Sequence, residues 1–206
     1  MRLRAADAFA AAAALLFLVF AGLVHWDRWV AYRGRDTVAE FFAYAALILV
    51  AIAVLWLVFR RYPWRPWMLA ALGFAILLQF AGGLGVVDGG RLYDLVLWGV
   101  RFDKLVHFVN AFIAARLTGE VLRFEGIALG RLHGVVVVLI VLGGGAVIEL
   151  AEYAVLRAIP DAGVGFYHNT MQDLAANLLG SLASILIIPA PRTPGSKPAD
   201  DLRDPG

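Results

Sequence analysis

Residues 101–112 read RFDKLVHFVNAF and place an aspartate, a lysine and a histidine at the start of a long apolar run. The run continues to residue 122, and a helix of about 20 residues spans the roughly 30 Å of hydrocarbon in a bilayer. Ionisable side chains at that depth cost several kcal/mol unless they pair, bind a cation or line a wet cavity. The stretch therefore predicts a transmembrane helix whose polar residues serve a function.

The composition of the whole chain agrees with a membrane protein. Of its 206 residues, 62% are hydrophobic, and the mean hydropathy of +0.78 is well above that of an ordinary globular domain. The net charge of +2 gives no case for a nucleic-acid-binding protein. The chain has no cysteine, which excludes disulfides, thiolate metal sites and cysteine nucleophiles.

Apolar runs bounded by charged or turn-forming residues predict an all-α, polytopic transmembrane helix bundle. Two arginines before the first run also fit a signal peptide, but no A-x-A-like site ends that run, so we expect a first transmembrane helix. We expect all the spans to form one transmembrane domain, residues 1–189. The six predicted spans lie near residues 8–25, 38–59, 66–87, 103–122, 133–153 and 172–189.

Two segments differ from these spans. VVDGGRLYDLVLWGVR, residues 86–101, is amphipathic and contains Trp and Tyr, which predicts a segment that lies along the membrane interface. Residues 190–206 are rich in proline and lack apolar periodicity, which predicts a disordered tail.

The distribution of positive charge predicts the orientation in the membrane. With the N-terminus inside, eleven of the 18 Lys and Arg residues lie on the cytoplasmic side and seven on the opposite side. We therefore expect a multi-pass protein of the inner (cytoplasmic) membrane with both termini in the cytoplasm.

Three predicted spans carry polar residues spaced three or four apart, which places the residues of each span on one helix face. The start of the fourth span, the end of the fifth and the start of the sixth lie on the same, non-cytoplasmic side of the membrane. Because each group needs polar partners at its depth, we expect one shared site in that leaflet. The residues are Asp103, His107 and Asn110 in the fourth span, Glu149 and Glu152 in the fifth, and Asp173 and Asn177 in the sixth.

Some of these residues have an ordinary structural explanation when taken singly. Asp103 could pair with Lys104 or Arg101 as a helix-end anchor, and Asp173 could complement the helix dipole at the start of the last span. His168, in the predicted loop GVGFYHNTMQD, lies on the side of the site, and the sequence leaves open whether it is a ligand.

Three motifs in this order resemble the VanZ-like and YjdF-like bacterial membrane proteins: DKLVHF, a Gly-rich helix ending in ELAEY, and QDLAANLLGS. The resemblance covers roughly residues 85–188, and the paired glutamates fit the YjdF-like group better. That group often has an acid four residues before the last Asp, where this chain has Asn169. The resemblance implies a largely uncharacterised membrane protein, with a link to glycopeptide-antibiotic resistance for some VanZ-like proteins.

One hypothesis is a metal-dependent hydrolase or transferase that acts on a membrane lipid or lipid-linked substrate. His107, Glu149 and Asp173 would hold one divalent metal, because an imidazole with carboxylates suits Zn²⁺, Mn²⁺ or Fe²⁺. Asp103 would orient the imidazole, and Glu152 would act as the general base. The additional candidates are His168, Asn177 and Asn110.

The alternative hypothesis is a non-catalytic membrane binder, such as a resistance or immunity factor or an assembly subunit. The same cluster would then form a hydrogen-bonded site, with Lys104 or Arg101, for a cationic or polyhydroxylated ligand. Without a metal, we expect one acid to be protonated or one of these two basic side chains to fold over the cluster. A transporter is disfavoured, because most spans lack polar residues in their cytoplasmic halves and no internal repeat is visible.

Overall fold

The structure, a computed structural model, describes residues 4–20, 22–23, 26–33, 46, 49–50, 53–54, 56–84, 86–87, 90–127, 129–158 and 167–187. The chain divides into two compact units, Met1–Phe102 and Asp103–Gly206. Most of the predicted second span, residues 38–59, and the predicted tail, residues 190–206, lie outside the described residues. The prediction of one transmembrane domain stays a prediction.

The helices of the first unit with described bounds include α1 (Ala5–Phe20), α2 (Trp26–Arg33) and α3 (Pro66–Leu84). α1 ends five residues before the predicted boundary, and α2 was not predicted because its sequence, WDRWVAYR, has no apolar run. α3 begins with a proline, which suits the first helical position because the missing N–H has no partner there.

The predicted interfacial segment forms two small hairpins. β1 (Val86–Val87) pairs with β2 (Gly90–Arg91), and β3 (Val96–Leu97) pairs with β4 (Val100–Arg101), both antiparallel. At the tip of the second hairpin, Trp98 and Gly99 have φ angles of 51° and 80°, as a two-residue turn with left-handed central residues requires. The fold class is all-α as predicted, and these short strands are its exception among the described residues.

The described part of the second unit contains three long helices. These are α4 (Phe102–Phe124, whose first residue belongs to the first unit), α5 (His133–Ala158) and α6 (Tyr167–Ile187). α5 extends five residues beyond its predicted end, and α6 begins five residues before its predicted start. The last difference is important for the site, because it adds a polar turn to α6.

α4 ends in a left-handed glycine cap. Gly126 has a φ of 71°. The N–H of Ile127 donates to the carbonyl of Leu122 at 2.9 Å, and the N–H of Gly126 donates to the carbonyl of Arg123 at 3.1 Å. These two bonds satisfy carbonyls that the end of a helix leaves without partners. The cap fixes the end of α4 on the side opposite to Asp103.

Large apolar side chains on the second unit are exposed. Val147 and Leu150 on α5 are each 66% exposed, and Leu186 on α6 is 81% exposed. α4, the His133–Ala154 part of α5, and α6 are each long and apolar enough to cross a membrane. Exposed apolar faces on such helices suit contact with lipid, which is the solvent for these side chains in a bilayer.

α4 and α6 approach each other very closely at one glycine. A Cβ atom added to Gly180 would overlap the backbone carbonyl of Phe108. Phe108 follows His107 in α4, and Gly180 lies about two turns beyond Asp173 in α6. The missing side chain therefore lets the two helices come close enough for their polar residues to meet.

Candidate functional site

Three ionisable residues from three different helices meet in the second unit. His107 of α4, Glu149 of α5 and Asp173 of α6 each offer one nitrogen or oxygen atom, and these atoms lie within 4.8 Å of one another. Asp173 is 1% exposed and Glu149 is 5% exposed. The structure thus brings together residues that are up to 66 positions apart in the chain, as the polar spacing of the sequence predicts.

Asp173 is held at both carboxylate oxygens. Its Oδ1 accepts a hydrogen bond from Lys104 Nζ at 2.7 Å, and its Oδ2 accepts one from the Asn169 side-chain amide at 2.6 Å. His107 Nε2 lies 3.4 Å from the same Oδ1. Asn169 lies one helical turn before Asp173, so the early start of α6 places its amide beside this carboxylate.

Lys104 directs its ammonium group into this cluster. Besides Asp173, its Nζ donates to the side-chain oxygen of Asn169 at 2.8 Å and lies 3.2 Å from Oδ2 of Asp103. The backbone carbonyl of Asn169 is also an acceptor, at 3.4 Å, so four oxygens lie around this ammonium group. Lys104 is itself buried, and its positive charge compensates the buried carboxylates of Asp103 and Asp173. Without such a counter-charge, burial of these acids would be costly.

Glu149 is different, because neither of its buried carboxylate oxygens has a hydrogen-bond partner among the described residues. The Thr170 side chain comes close enough to influence this carboxylate but makes no hydrogen bond of acceptable geometry with it. Leaving a buried carboxylate without partners costs several kcal/mol in a low-dielectric environment. A ligand that satisfies Glu149 would remove this cost.

A family model described as "Predicted membrane protein (DUF2238)" matches residues 9–192, most of the chain. The chain belongs to the DUF2238 family. It is therefore a membrane protein, in agreement with its composition and with the three long apolar helices among its described residues. Neither the search of curated proteins nor that of solved structures gives a match. The narrower VanZ-like or YjdF-like classification stays a prediction.

The other predicted site residues of this DUF2238 protein lie around the cluster. Asp103 is buried and interacts with Lys104, and Glu152 is half-buried one turn along α5 from Glu149. Their predicted roles, orienting His107 and acting as a general base, stay predictions. Arg101, the other basic residue that the sequence offers as a partner of the cluster, forms an ion pair with Asp94 at 2.8 Å in the first unit.

The three additional candidates differ in their positions. His168 lies in the first turn of α6 rather than in a loop, and it is exposed, with its Nε2 3.1 Å from the Gln172 side-chain amide. Asn110 is half-buried one turn beyond His107. Asn177 is buried, and its Nδ2 would be 2.6 Å from a Cβ atom added to Gly145. The glycine therefore makes room for the Asn177 amide between α5 and α6.

Asn169 belongs to the polar cluster of this DUF2238 protein, although the sequence did not predict it there. The sequence treats it as a loop residue and as a departure from an all-acid site, whereas the structure places it within the polar cluster. The signal that could have identified it is its spacing, because Asn169, Asp173 and Asn177 continue one face of a helix at intervals of four.

Proposed function

We propose that this protein is a membrane-embedded, divalent-metal-dependent hydrolase or transferase that acts on a lipid or lipid-linked substrate. The observation that carries the proposal is Glu149, a buried carboxylate that has no hydrogen-bond partner among the described residues and lies within 4.8 Å of ligand atoms on His107 and Asp173. This arrangement needs a positive or hydrogen-bond-donating ligand, and the donor set is one that metals use.

The charges of the cluster favour a cation over an anion. Four acids, Asp103, Glu149, Glu152 and Asp173, belong to the cluster or its border, whereas Lys104 is the one lysine among them and already donates to Asp173 and Asn169. An anionic ligand would therefore meet uncompensated carboxylates, whereas a cation would relieve their repulsion.

The donor set of one imidazole and two carboxylates fits Zn²⁺, Mn²⁺ or Fe²⁺ better than Ca²⁺, which prefers oxygen ligands alone. Such a metal would supply Lewis acidity and lower the pKa of a bound water. In the proposal, Lys104 and Asn169 hold Asp173 in one orientation, and Glu152 accepts the proton of the attacking water or hydroxyl group. The exposed apolar faces of α5 and α6 would give a lipid substrate access from the bilayer.

The proposal is tested by the metal content and thermal stability of the purified full-length protein. We expect a stoichiometric metal in the native protein and its loss in His107→Ala and Glu149→Gln. Added metal at about 100 times its Kd should raise the melting temperature of the metal-free protein by about 5–10 °C.

The matched control is Glu120→Gln. Glu120 is a buried carboxylate of α4, 4% exposed, that pairs with Arg123 at 2.8 Å outside the cluster. This variant should keep the metal even if it is less stable. A native protein without metal, whose melting temperature responds to neither chelator nor metal, would contradict the proposal.

A second candidate function, a non-catalytic binder, is favoured by the completeness of the Lys104 network. Lys104, Asp173 and Asn169 form a closed ring of hydrogen bonds that requires no metal. The protein would then bind a cationic or polyhydroxylated group at Glu149, for example as a resistance or immunity factor. The metal experiment separates the two functions, because a binder of this kind should be insensitive to chelators.

A further inference from the structure

A second group of charged residues lies in the first unit, in the turn that precedes α3. Residues 60–67 read RRYPWRPW and contain three arginines. The guanidinium group of Arg4, at the start of α1, donates to the carbonyl of Arg60 at 3.1 Å and adds a fourth positive charge. We call Arg4 together with residues 60–67 the basic turn. Asp7, 3.7 Å from Arg60, is the acid that pairs with it.

The basic turn is held in one conformation by its aromatic residues. The indole N–H of Trp64 donates to the carbonyl of Phe59 at 2.7 Å, and the Trp64 and Phe59 rings meet edge to face at 6.0 Å. Pro63 and Pro66 further restrict the backbone. Arg61 and Arg65, both exposed, are therefore carried by an ordered turn.

Two of the guanidinium groups are placed over aromatic rings. Arg60 lies 4.5 Å from the centre of the Trp56 ring, and Arg61 lies 5.1 Å from that of Tyr62. The indole of Trp56 also donates to Asp7 at 2.8 Å, which fixes α1 to the helical residues 56–59. Arg61 also donates from one terminal nitrogen to the Tyr62 hydroxyl at 3.1 Å, so both guanidinium groups are held by contacts with neighbouring side chains.

The topology of a membrane protein requires only an excess of positive charge on one side, which a disordered loop provides equally well. An ordered arrangement instead lowers the entropic cost of binding a defined ligand. Arginine forks match the oxygens of a phosphate group. Tryptophans such as Trp64 and Trp67 are typical of the headgroup level of a bilayer.

We propose that the basic turn is a binding site for the phosphate of one anionic glycerophospholipid headgroup. Among the described residues of this cluster, four arginines accompany one acid, Asp7, so a negative ligand is attracted. The position of the turn directly before the apolar helix α3 favours a lipid over a soluble anion. This site is independent of the His107–Glu149–Asp173 cluster and of the reaction proposed there.

The test is native mass spectrometry of the full-length protein in detergent, with phosphatidylglycerol and phosphatidylcholine of the same acyl chains at equal concentrations. We expect one phosphatidylglycerol to bind per protein, in clear preference to phosphatidylcholine. Arg65→Gln should lower its occupancy about fivefold, and Arg61→Gln/Arg65→Gln about 25-fold, because each arginine near an anionic headgroup contributes a similar increment.

The control is Arg157→Gln, which removes an exposed arginine at the end of α5 in the second unit and should leave the occupancy unchanged. Size-exclusion profiles establish whether each variant is folded. If the double variant is not folded, the single Arg65→Gln variant decides the question. Equal binding of the two lipids, or equal losses in Arg65→Gln and Arg157→Gln, overturns the proposal. Inorganic phosphate that displaces the lipid at equal concentration would show a soluble-anion site instead.

Discussion

Glu149 and Glu120 are two buried carboxylates that differ in their partners, and this difference predicts opposite effects of the same substitution. Glu120 pairs with Arg123, whereas Glu149 has no hydrogen-bond partner among the described residues. In chelator, Glu149→Gln should raise the free energy of unfolding by about 1–2 kcal/mol, because it removes an uncompensated charge at nearly constant volume. Thermal unfolding in detergent measures this difference.

Glu120→Gln is the control for the same measurement. It should lower the free energy of unfolding by about 1–3 kcal/mol, since it leaves the Arg123 guanidinium without its carboxylate. With metal added, the native protein should become more stable than Glu149→Gln. If both substitutions are equally destabilising in chelator, Glu149 is satisfied without a ligand, and the argument for a cation fails.

The sequence predicts the acidic and imidazole groups of the cluster but not the way in which they are held. His107, Glu149 and Asp173 could be predicted because polar residues in apolar helices need partners at the same depth. The sequence allows Lys104 to be either a helix-end anchor or a counter-ion of the cluster. The choice between the two roles depends on the reach of one long side chain. Helical spacing alone does not determine that reach.

At the scale of the helices, the contact between Gly180 and Phe108 predicts how the cluster is assembled. Gly180→Ala would place a methyl group on the Phe108 carbonyl, and backbone atoms cannot move aside as a flexible side chain can. α4 and α6 must therefore separate. We expect a loss of about 1–3 kcal/mol in the free energy of unfolding, together with weaker metal binding, because His107 and Asp173 belong to these two helices.

Gly143→Ala provides the matched control, since a Cβ atom at Gly143 would have no neighbour within 4 Å. In a helix interior this substitution should stabilise by about 0.5–1 kcal/mol through the backbone entropy of glycine alone. Thermal unfolding and metal titration of both variants measure the effects. Similar behaviour of the two variants would show that the close approach of α4 and α6 does not determine the site.

The sequence predicts the long helices better than the segments between them. Apolar runs predict α4, α5 and α6. The two hairpins look like one amphipathic segment in the sequence, because their strands have only two residues each. The left-handed turn at Trp98 is occupied by a residue that rarely adopts this conformation, so its sequence gives no hairpin signal. The early start of α6 was missed for a similar reason, since its first turn is polar.

At the scale of the whole molecule, orientation follows from charge alone and remains a prediction. The excess of Lys and Arg places the end of α4 in the cytoplasm and the start of α6 outside, with α5 crossing between them. The length and hydropathy of α5 are sufficient for this crossing. The polar cluster would then open toward the non-cytoplasmic side, where an extracytoplasmic lipid or lipid-linked substrate could reach it.

The absence of native cysteines makes this orientation directly testable. Glu125→Cys places a thiol in the exposed turn after α4, and Tyr167→Cys places one at the start of α6, where the side chain is 78% exposed. A membrane-impermeant maleimide should label Tyr167→Cys in intact cells and Glu125→Cys only after permeabilisation. The reverse pattern would invert the orientation, and labelling of both in intact cells would show that α5 does not cross the membrane.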